Sequence, residues 1–153
     1  MDKMKGMVGI VTGSSRGLGR AIAVEYGREG AAVVACARPT SPTQLPGTVD
    51  ETAQEILNHG GESLAVPCDV SEEAQVKAMV QQVMERYGKI DVLVNNAGIM
   101  ILGESFLEIE PARWDQIMSV NLRGAYLTCR HVLPIMIDQQ RGSIVNIGSF
   151  AAS

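Results

Sequence analysis

The sequence predicts an α/β fold in which helices cover both faces of an open, doubly wound parallel sheet. Short apolar runs of strand length alternate with longer segments of helical periodicity along the 153 residues. The apolar runs lack strict alternation of polar and apolar residues, which is typical of parallel strands that are covered on both faces. No linker or internal repeat interrupts this pattern, so we expect a single domain over residues 1–153.

The apolar runs predict about five strands. These are expected at residues 7–12, 31–37, 63–67, 91–95 and 143–147. Three prolines make residues 38–47 irregular, and this long connection is either an adaptation around a ligand or a tolerated surface insertion.

Four helices are expected between the strands, at residues 20–30, at 48–59, after Ser71, and at 111–139. Thr48 and Glu51 have the spacing of a capping box, and Ser71 is expected to cap the third helix. The last helix carries apolar residues on more than one face. We therefore expect the sheet to bury one face and a partner subunit of a homo-oligomer to bury the other.

Composition excludes several classes of function. The formal net charge is −4 and the basic residues are scattered, so we expect no nucleic-acid partner. No run of about 18 apolar residues occurs, so we expect no membrane span. Cys36, Cys68 and Cys129 show no metal-ligand spacing, which argues against a metal site and a disulfide framework. Reduced thiols and the lack of a signal-peptide pattern favour a cytoplasmic protein.

A glycine-rich turn, residues 12–19, lies between the first strand and the first helix. Gly13, Gly17 and Gly19 let the backbone approach an anion, and the first N–H groups of the helix face it. A Lys-Ser/Thr pair does not follow the last glycine, which excludes a P-loop. The turn therefore predicts a Rossmann-like dinucleotide site at the carboxyl ends of the strands.

The end of the second strand indicates which dinucleotide binds. An NAD site usually has an acid there, but this chain has Arg38, and Arg16 lies inside the glycine turn. An arginine can bind a 2′-phosphate that an acid would repel. The alternative for each arginine is a solvated surface residue, but the two together favour NADP(H).

Other polar residues near strand ends have two interpretations each. Asp69 either accepts a hydrogen bond from an adenine amino group or stabilises a turn. Asn95 and Asn96 could tie loops together rather than contact a ligand. Asn121 lies in an otherwise apolar helix, so its amide needs either a structural bond or a bound water.

These residues together resemble the short-chain dehydrogenase/reductase family. The resemblance is carried by residues 12–19, Cys68-Asp69-Val70, residues 95–98, Val120-Asn121-Leu122 and residues 143–149, in the family's order. It implies that the cofactor-binding residues are Gly13, Ser15, Arg16, Gly17, Leu18, Gly19, Arg38, Asp69, Val70, Asn96, Ala97, Gly98 and Val120.

The resemblance also implies an NADP(H)-dependent oxidoreductase acting on a carbonyl or a secondary alcohol. Ser149 would hydrogen-bond the substrate oxygen, and Asn121 would hold a water in the proton relay. The family's catalytic Tyr-x-x-x-Lys pair does not occur in the 153 residues. We therefore expect a C-terminally truncated chain, with an incomplete sheet and little turnover. The alternative is a nucleotide-binding or interaction module without catalytic activity.

Overall fold

Five parallel strands form one sheet in the computed structural model, which describes residues 2–39, 46–101, 103 and 105–149. The strands are β1 (Val8–Thr12), β2 (Ala32–Ala37), β3 (Glu62–Pro67), β4 (Val92–Asn95) and β5 (Ser143–Asn146). Their order across the sheet is β3-β2-β1-β4-β5, and each neighbouring pair is parallel. The predicted doubly wound sheet is confirmed, and the strand order reverses between β1 and β4. At such a reversal the loops diverge, and a crevice opens at the carboxyl ends of the strands.

The helices follow the predicted pattern with shifted ends. They are α1 (Gly17–Arg28), α2 (Val49–Asn58), α3 (Glu73–Tyr87), α4 (Pro111–Met118) and α5 (Gly124–Asp138), and the short 3₁₀ turn Phe106–Glu108 precedes α4. The capping box is present at α2, since the Thr48 hydroxyl accepts from the Glu51 N–H at 3.1 Å and the Glu51 carboxylate accepts from the Thr48 N–H at 3.3 Å. No helix in the described part of the chain combines the length and apolar character that a membrane crossing needs.

The expected cap at Ser71 is wrong. Glu72 occupies the cap position of α3 and makes no side-chain cap bond. The hydroxyl and the N–H of Ser71 donate instead to Oδ1 of Asp69, at 2.7 and 3.0 Å. Ser71 therefore belongs to a turn that Asp69 stabilises before the helix begins.

Consecutive residues of β1 enter two separate hydrophobic cores. Ile10 packs with Leu127 and other residues on the face covered by α3 and α5. Val11 packs with Val24 and Ile56 on the face covered by α1 and α2. Ile10 and Val11 are both fully buried. Helices therefore cover both faces of the sheet, as predicted.

The helix predicted over residues 111–139 is not continuous. A π-helical turn, Ser119–Arg123, separates α4 from α5. A π turn accommodates an extra residue without changing the apolar pattern on either side, so the periodicity did not reveal it. Val132 is buried, whereas Leu122 and Tyr126 are 63% and 56% exposed. The described residues thus leave one face of this helical segment exposed, and the partner subunit stays a prediction.

Candidate cofactor-binding site

A cavity of about 630 Å³ lies at the carboxyl ends of the strands. Most of the predicted cofactor residues line it, namely Gly13, Ser15, Arg16, Arg38, Asp69, Val70, Asn96, Ala97, Gly98 and Val120. Gly17, Leu18 and Gly19 do not line it but belong to the same turn and the start of α1. The fold thus brings together residues from four strand ends and from the π turn.

Close contacts require glycine at two positions of the turn, and a positive φ favours it at a third. A Cβ at Gly19 would lie 2.4 Å from the Gly13 carbonyl oxygen. Gly13 has a φ of +66°, and a Cβ there would lie 2.7 Å from the Ala97 Cα. Gly17 has a φ of +55°, and nothing lies within 4 Å of the position its Cβ would take. Arg16 occupies the cap position of α1 and makes no side-chain cap bond, so its side chain leaves the first N–H groups of the helix available. An open turn before a helix without a side-chain cap fits a bound phosphate.

Thr12 joins the glycine turn to the loop that follows β4. Its hydroxyl accepts from the N–H groups of Asn96 and Ala97, both at 3.0 Å. The Asn96 amide donates to the carbonyls of Thr12 and Gly13, at 3.0 and 3.2 Å. Asn96 therefore ties two loops together, which is one of the two roles that its position allowed. No role was predicted for Thr12, although a threonine directly before the first glycine was a visible signal.

Asn95 performs a similar task on the other side of β4. Its Oδ1 accepts from the buried Thr128 hydroxyl at 2.6 Å. Its Nδ2 donates to Oδ1 of Asn146 at 2.9 Å. The side chain therefore links β4 to α5 and β5, beside a second cavity of about 100 Å³ that Asn121 also lines.

Arg16 and Arg38 both line the cavity, as the NADP(H) prediction requires. Arg16 is partly buried and Arg38 is exposed. Across the described residues, no carboxylate forms an ion pair with either guanidinium. The positive charges at this end of the cavity are therefore not neutralised by those residues.

Asp69 stabilises the turn after β3. Its Oδ1 accepts both hydrogen bonds from Ser71, and its N–H donates to the Gln75 amide oxygen at 2.9 Å. Arg123 in the π turn donates to the Ser71 carbonyl at 2.7 Å. The turn interpretation of Asp69 is thus observed, while Oδ2 takes no part in these bonds. Contact with adenine stays a prediction for that oxygen.

Asn121 makes the structural bond that its place in an apolar helix allowed. Its Oδ1 accepts from the Ile99 N–H, and its Nδ2 donates to the Ile99 carbonyl, both at 2.8 Å. The π turn therefore holds the loop after β4 against the cavity, where Val120 forms part of the wall. The water-holding role of Asn121 stays a prediction.

Ser149 follows β5 at the same edge of the sheet and is exposed. It is not among the residues that line either cavity. Ser149 therefore lies past the carboxyl end of β5, and its role toward the substrate stays a prediction.

Comparison with known proteins identifies the family of the chain. Residues 7–153 match the family model described as short chain dehydrogenase. The chain belongs to the short-chain dehydrogenase family. It is similar to hydroxysteroid dehydrogenase-like protein 2 of Rattus norvegicus, with 39% identity over 146 residues that make up 95% of this chain and 28% of that protein. It is also similar to dehydrogenase/reductase SDR family member 1 of Mus musculus, with 40% identity over 153 residues, 95% of this chain and 47% of that protein.

A solved structure of the family has the same fold. It is a metagenomic short-chain oxidoreductase in complex with NADP, with a TM-score of 0.88 and 39% identity. The similarity covers 99% of this chain and 66% of that one. The chain thus spans between about a quarter and about half of the length of the two curated relatives.

Three lining residues of this short-chain dehydrogenase were not predicted, namely Ala37, Cys68 and Ile99. Ala37 and Ile99 are direct neighbours of predicted residues, so extending those motifs by one position would have found them. Cys68 belongs to the motif Cys68-Asp69-Val70, in which no role was assigned to it. Cys68 is buried beside Cys36, and interaction between the two thiols, together with burial, raises the pKa of Cys36. The same interaction lowers the pKa of Cys68. Within the described ranges, no three His, Cys, Asp or Glu residues come together in a way that could hold a metal ion.

Proposed function

We propose that the chain forms the cofactor-binding part of an NADP(H)-dependent oxidoreductase that acts on a carbonyl or a secondary alcohol. One observation carries the proposal: a single cavity gathers the glycine turn and two arginines for which the described residues supply no acidic partner. The short-chain dehydrogenase family supplies the reaction class. The similar metagenomic enzyme is in complex with NADP, which supports the choice of cofactor.

The described residues fit each part of the cofactor. The N–H groups at the start of α1 would bind the pyrophosphate, and Arg16 and Arg38 would bind the 2′-phosphate. Oδ2 of Asp69 and the side chain of Val70 would contact the adenine. The main chain of residues 96–98, held by Thr12, would border the adenine ribose. The bound cofactor would supply hydride transfer, which no side chain can provide.

The substrate-side residues support an oxidoreductase over a simple binding module. Ser149 would donate a hydrogen bond to the substrate oxygen, and Asn121 would hold a water beside the site, functions that a pure binder does not need. No Tyr-x-x-x-Lys pair occurs in the 153 residues. We therefore expect these residues alone to bind the cofactor with little turnover. A nucleotide-binding module without catalytic activity is the alternative.

The exposed apolar face of α4, the π turn and α5 supports a homo-oligomer. Trp114, Leu122 and Tyr126 are 47%, 63% and 56% exposed. Contiguous exposed apolar surface of this kind typically marks an interface. We propose that a second copy covers this face in the complete protein, which acts on a small molecule in the cytoplasm.

Calorimetric titration of the purified chain tests the cofactor assignment. NADPH should bind saturably and at least about 10-fold more tightly than NADH, because the two arginines interact only with the 2′-phosphate. A carbonyl-reduction assay on the same sample should show little turnover. Equal affinity for both cofactors would contradict the NADP(H) assignment, and robust turnover would contradict the need for the Tyr-x-x-x-Lys pair.

A further inference from the structure

The glycine turn is attached to β2 through a buried serine. The Ser14 N–H donates to the Cys36 carbonyl at 3.1 Å, and the Cys36 N–H donates to the Ser14 hydroxyl at 2.9 Å. Ser14 and Cys36 are both fully buried. These bonds continue the pairing of β1 and β2 by two residues beyond Thr12 and so fix the start of the turn.

Helix α2 holds the same serine from the opposite side. The Thr52 hydroxyl donates to the Ser14 carbonyl at 2.8 Å, and Thr52 is fully buried. Its oxygen also lies 3.2 Å from the Thr48 carbonyl, but a hydroxyl has one proton and the Ser14 carbonyl is nearer. Ser14 is thus clamped between β2 and α2.

The segment before α2 packs directly on the part of the turn that carries Arg16. Gly47 has a φ of +118°, and a Cβ there would lie 2.5 Å from the Ser15 carbonyl oxygen and 3.2 Å from the Arg16 Cβ. A larger residue at position 47 would push the segment away from the turn. Gly47 therefore forms a second, independent contact, which joins the segment before α2 to the arginine-bearing turn.

We propose that Ser14, Thr52 and Gly47 are positioning residues that set the preference for NADPH over NADH. This inference rests on the proposed NADP(H) function. Arg16 follows Ser14 by two residues, and Arg38 follows Cys36 by two residues, so the clamp determines the separation of the two guanidiniums. A 2′-phosphate bound by both arginines depends on that separation. NADH lacks this phosphate and is insensitive to it.

The experiment measures the dissociation constants of NADPH and NADH for the wild-type chain and for Thr52→Val, Thr52→Ser and Gly47→Ala. Thr52→Val should weaken NADPH binding about 5-fold or more and NADH binding less than about 2-fold, because the clamped residues Ser14 and Cys36 lie two positions before the arginines, whereas the pyrophosphate would bind the N–H groups of α1, which begins at Gly17. Thr52→Ser retains the hydroxyl and should stay close to the wild type. Gly47→Ala removes no hydrogen bond and should reproduce the selective loss.

Thr128→Val is the matched control. Thr128 is as buried as Thr52, and its hydroxyl bonds to Asn95 on the other side of the sheet. This variant should lower the melting temperature in the same way as Thr52→Val but leave the ratio of the two dissociation constants unchanged. If Thr52 only stabilised the fold, Thr52→Val and Thr128→Val would have the same ratio of dissociation constants, and the inference would be wrong.

The outcomes separate this inference from the proposed function. A wild-type chain without a preference for NADPH overturns the proposed function, and the inference fails with it. A wild-type preference that survives in Thr52→Val and Gly47→Ala overturns the inference alone. If Thr52→Val does not fold, Gly47→Ala alone tests the inference. An unchanged ratio of the NADPH and NADH dissociation constants in that variant overturns it.

Discussion

Replacing Arg16 or Arg38 singly by alanine should reduce the preference for NADPH, and the two reductions should be unequal. Both side chains line the cavity, but Arg16 is partly buried and Arg38 is exposed. A charge pair about 4 Å apart contributes about 1 kcal/mol in water and about 4 kcal/mol at the effective dielectric of a protein surface. The exposed arginine lies near the first limit and the partly buried one between the two limits.

These interaction energies convert into expected losses of NADPH affinity. Arg38→Ala should weaken NADPH binding about 5- to 10-fold, and Arg16→Ala about 30-fold. NADH binding should change less than about 2-fold in both variants, because NADH offers no 2′-phosphate to either arginine. Isothermal titration at two salt concentrations measures both effects, and the loss should shrink at high salt for Arg38 more than for Arg16.

Lys77→Ala provides the control for a general change of charge. Lys77 is exposed on α3 and does not line the cavity, so both cofactors should bind as they do to the wild type. The reasoning would be refuted if the arginine variants weakened NADPH and NADH binding equally. It would also be refuted if Lys77→Ala had the same effect as Arg38→Ala, since the arginines would then act only through net charge.

Three further variants test the framework around the cavity. Gly13→Ala should abolish cofactor binding and destabilise the fold by about 2 kcal/mol or more. The new methyl group would clash with the Ala97 backbone, and position 13 has a positive φ that alanine rarely adopts. Titration with the cofactor and thermal melting measure the two effects. Asn121→Ala should lower the free energy of unfolding in urea by about 1–2 kcal/mol and speed hydrogen exchange of the Ile99 N–H. Both side-chain hydrogen bonds to the Ile99 backbone are lost in this variant. Unchanged exchange at Ile99 would contradict this prediction. Asp91→Asn should lower the free energy of unfolding by about 1–2 kcal/mol, because the buried carboxylate accepts from a main-chain N–H of β1 and pairs with Lys89, which is partly buried, and Arg141, which is exposed. Cofactor binding should stay unchanged in this variant, and a loss of affinity would show that Asp91 acts on the site.

The parallel sheet and the location of the cavity could be predicted because both follow from patterns within short stretches of sequence. Apolar runs separated by helices lead to a parallel sheet, and the carboxyl ends of parallel strands necessarily share one edge. The cavity therefore gathers Gly13, Arg38, Asp69 and Asn96 from four separate strand ends. Their proximity required no knowledge of side-chain contacts.

The partners of individual side chains could not be predicted in the same way. Asn96 bonds to Thr12, which lies 84 residues earlier in the chain, and Thr52 bonds to Ser14, which lies 38 residues earlier. Such pairs depend on how the loops and helices pack against the sheet. A local sequence pattern carries no information about this packing. The π turn escaped detection for a related reason, since one extra residue leaves the apolar periodicity of α4 and α5 intact.

The polar residues around the cavity divide into two groups with different expected behaviour. Thr12, Asn96 and Asn121 use their side chains to bind loops together, and they offer the cofactor mainly main-chain groups. Arg16 and Arg38 form no ion pair with the described residues, so their charges are available to the cofactor. Substitutions in the first group change the shape of the cavity and should weaken NADPH and NADH alike, whereas substitutions in the second group should change only the ratio. The clamp around Ser14 belongs to neither group. It consists of structural contacts, like those of the first group, but its loss should change the ratio of the NADPH and NADH affinities, as expected of the second group.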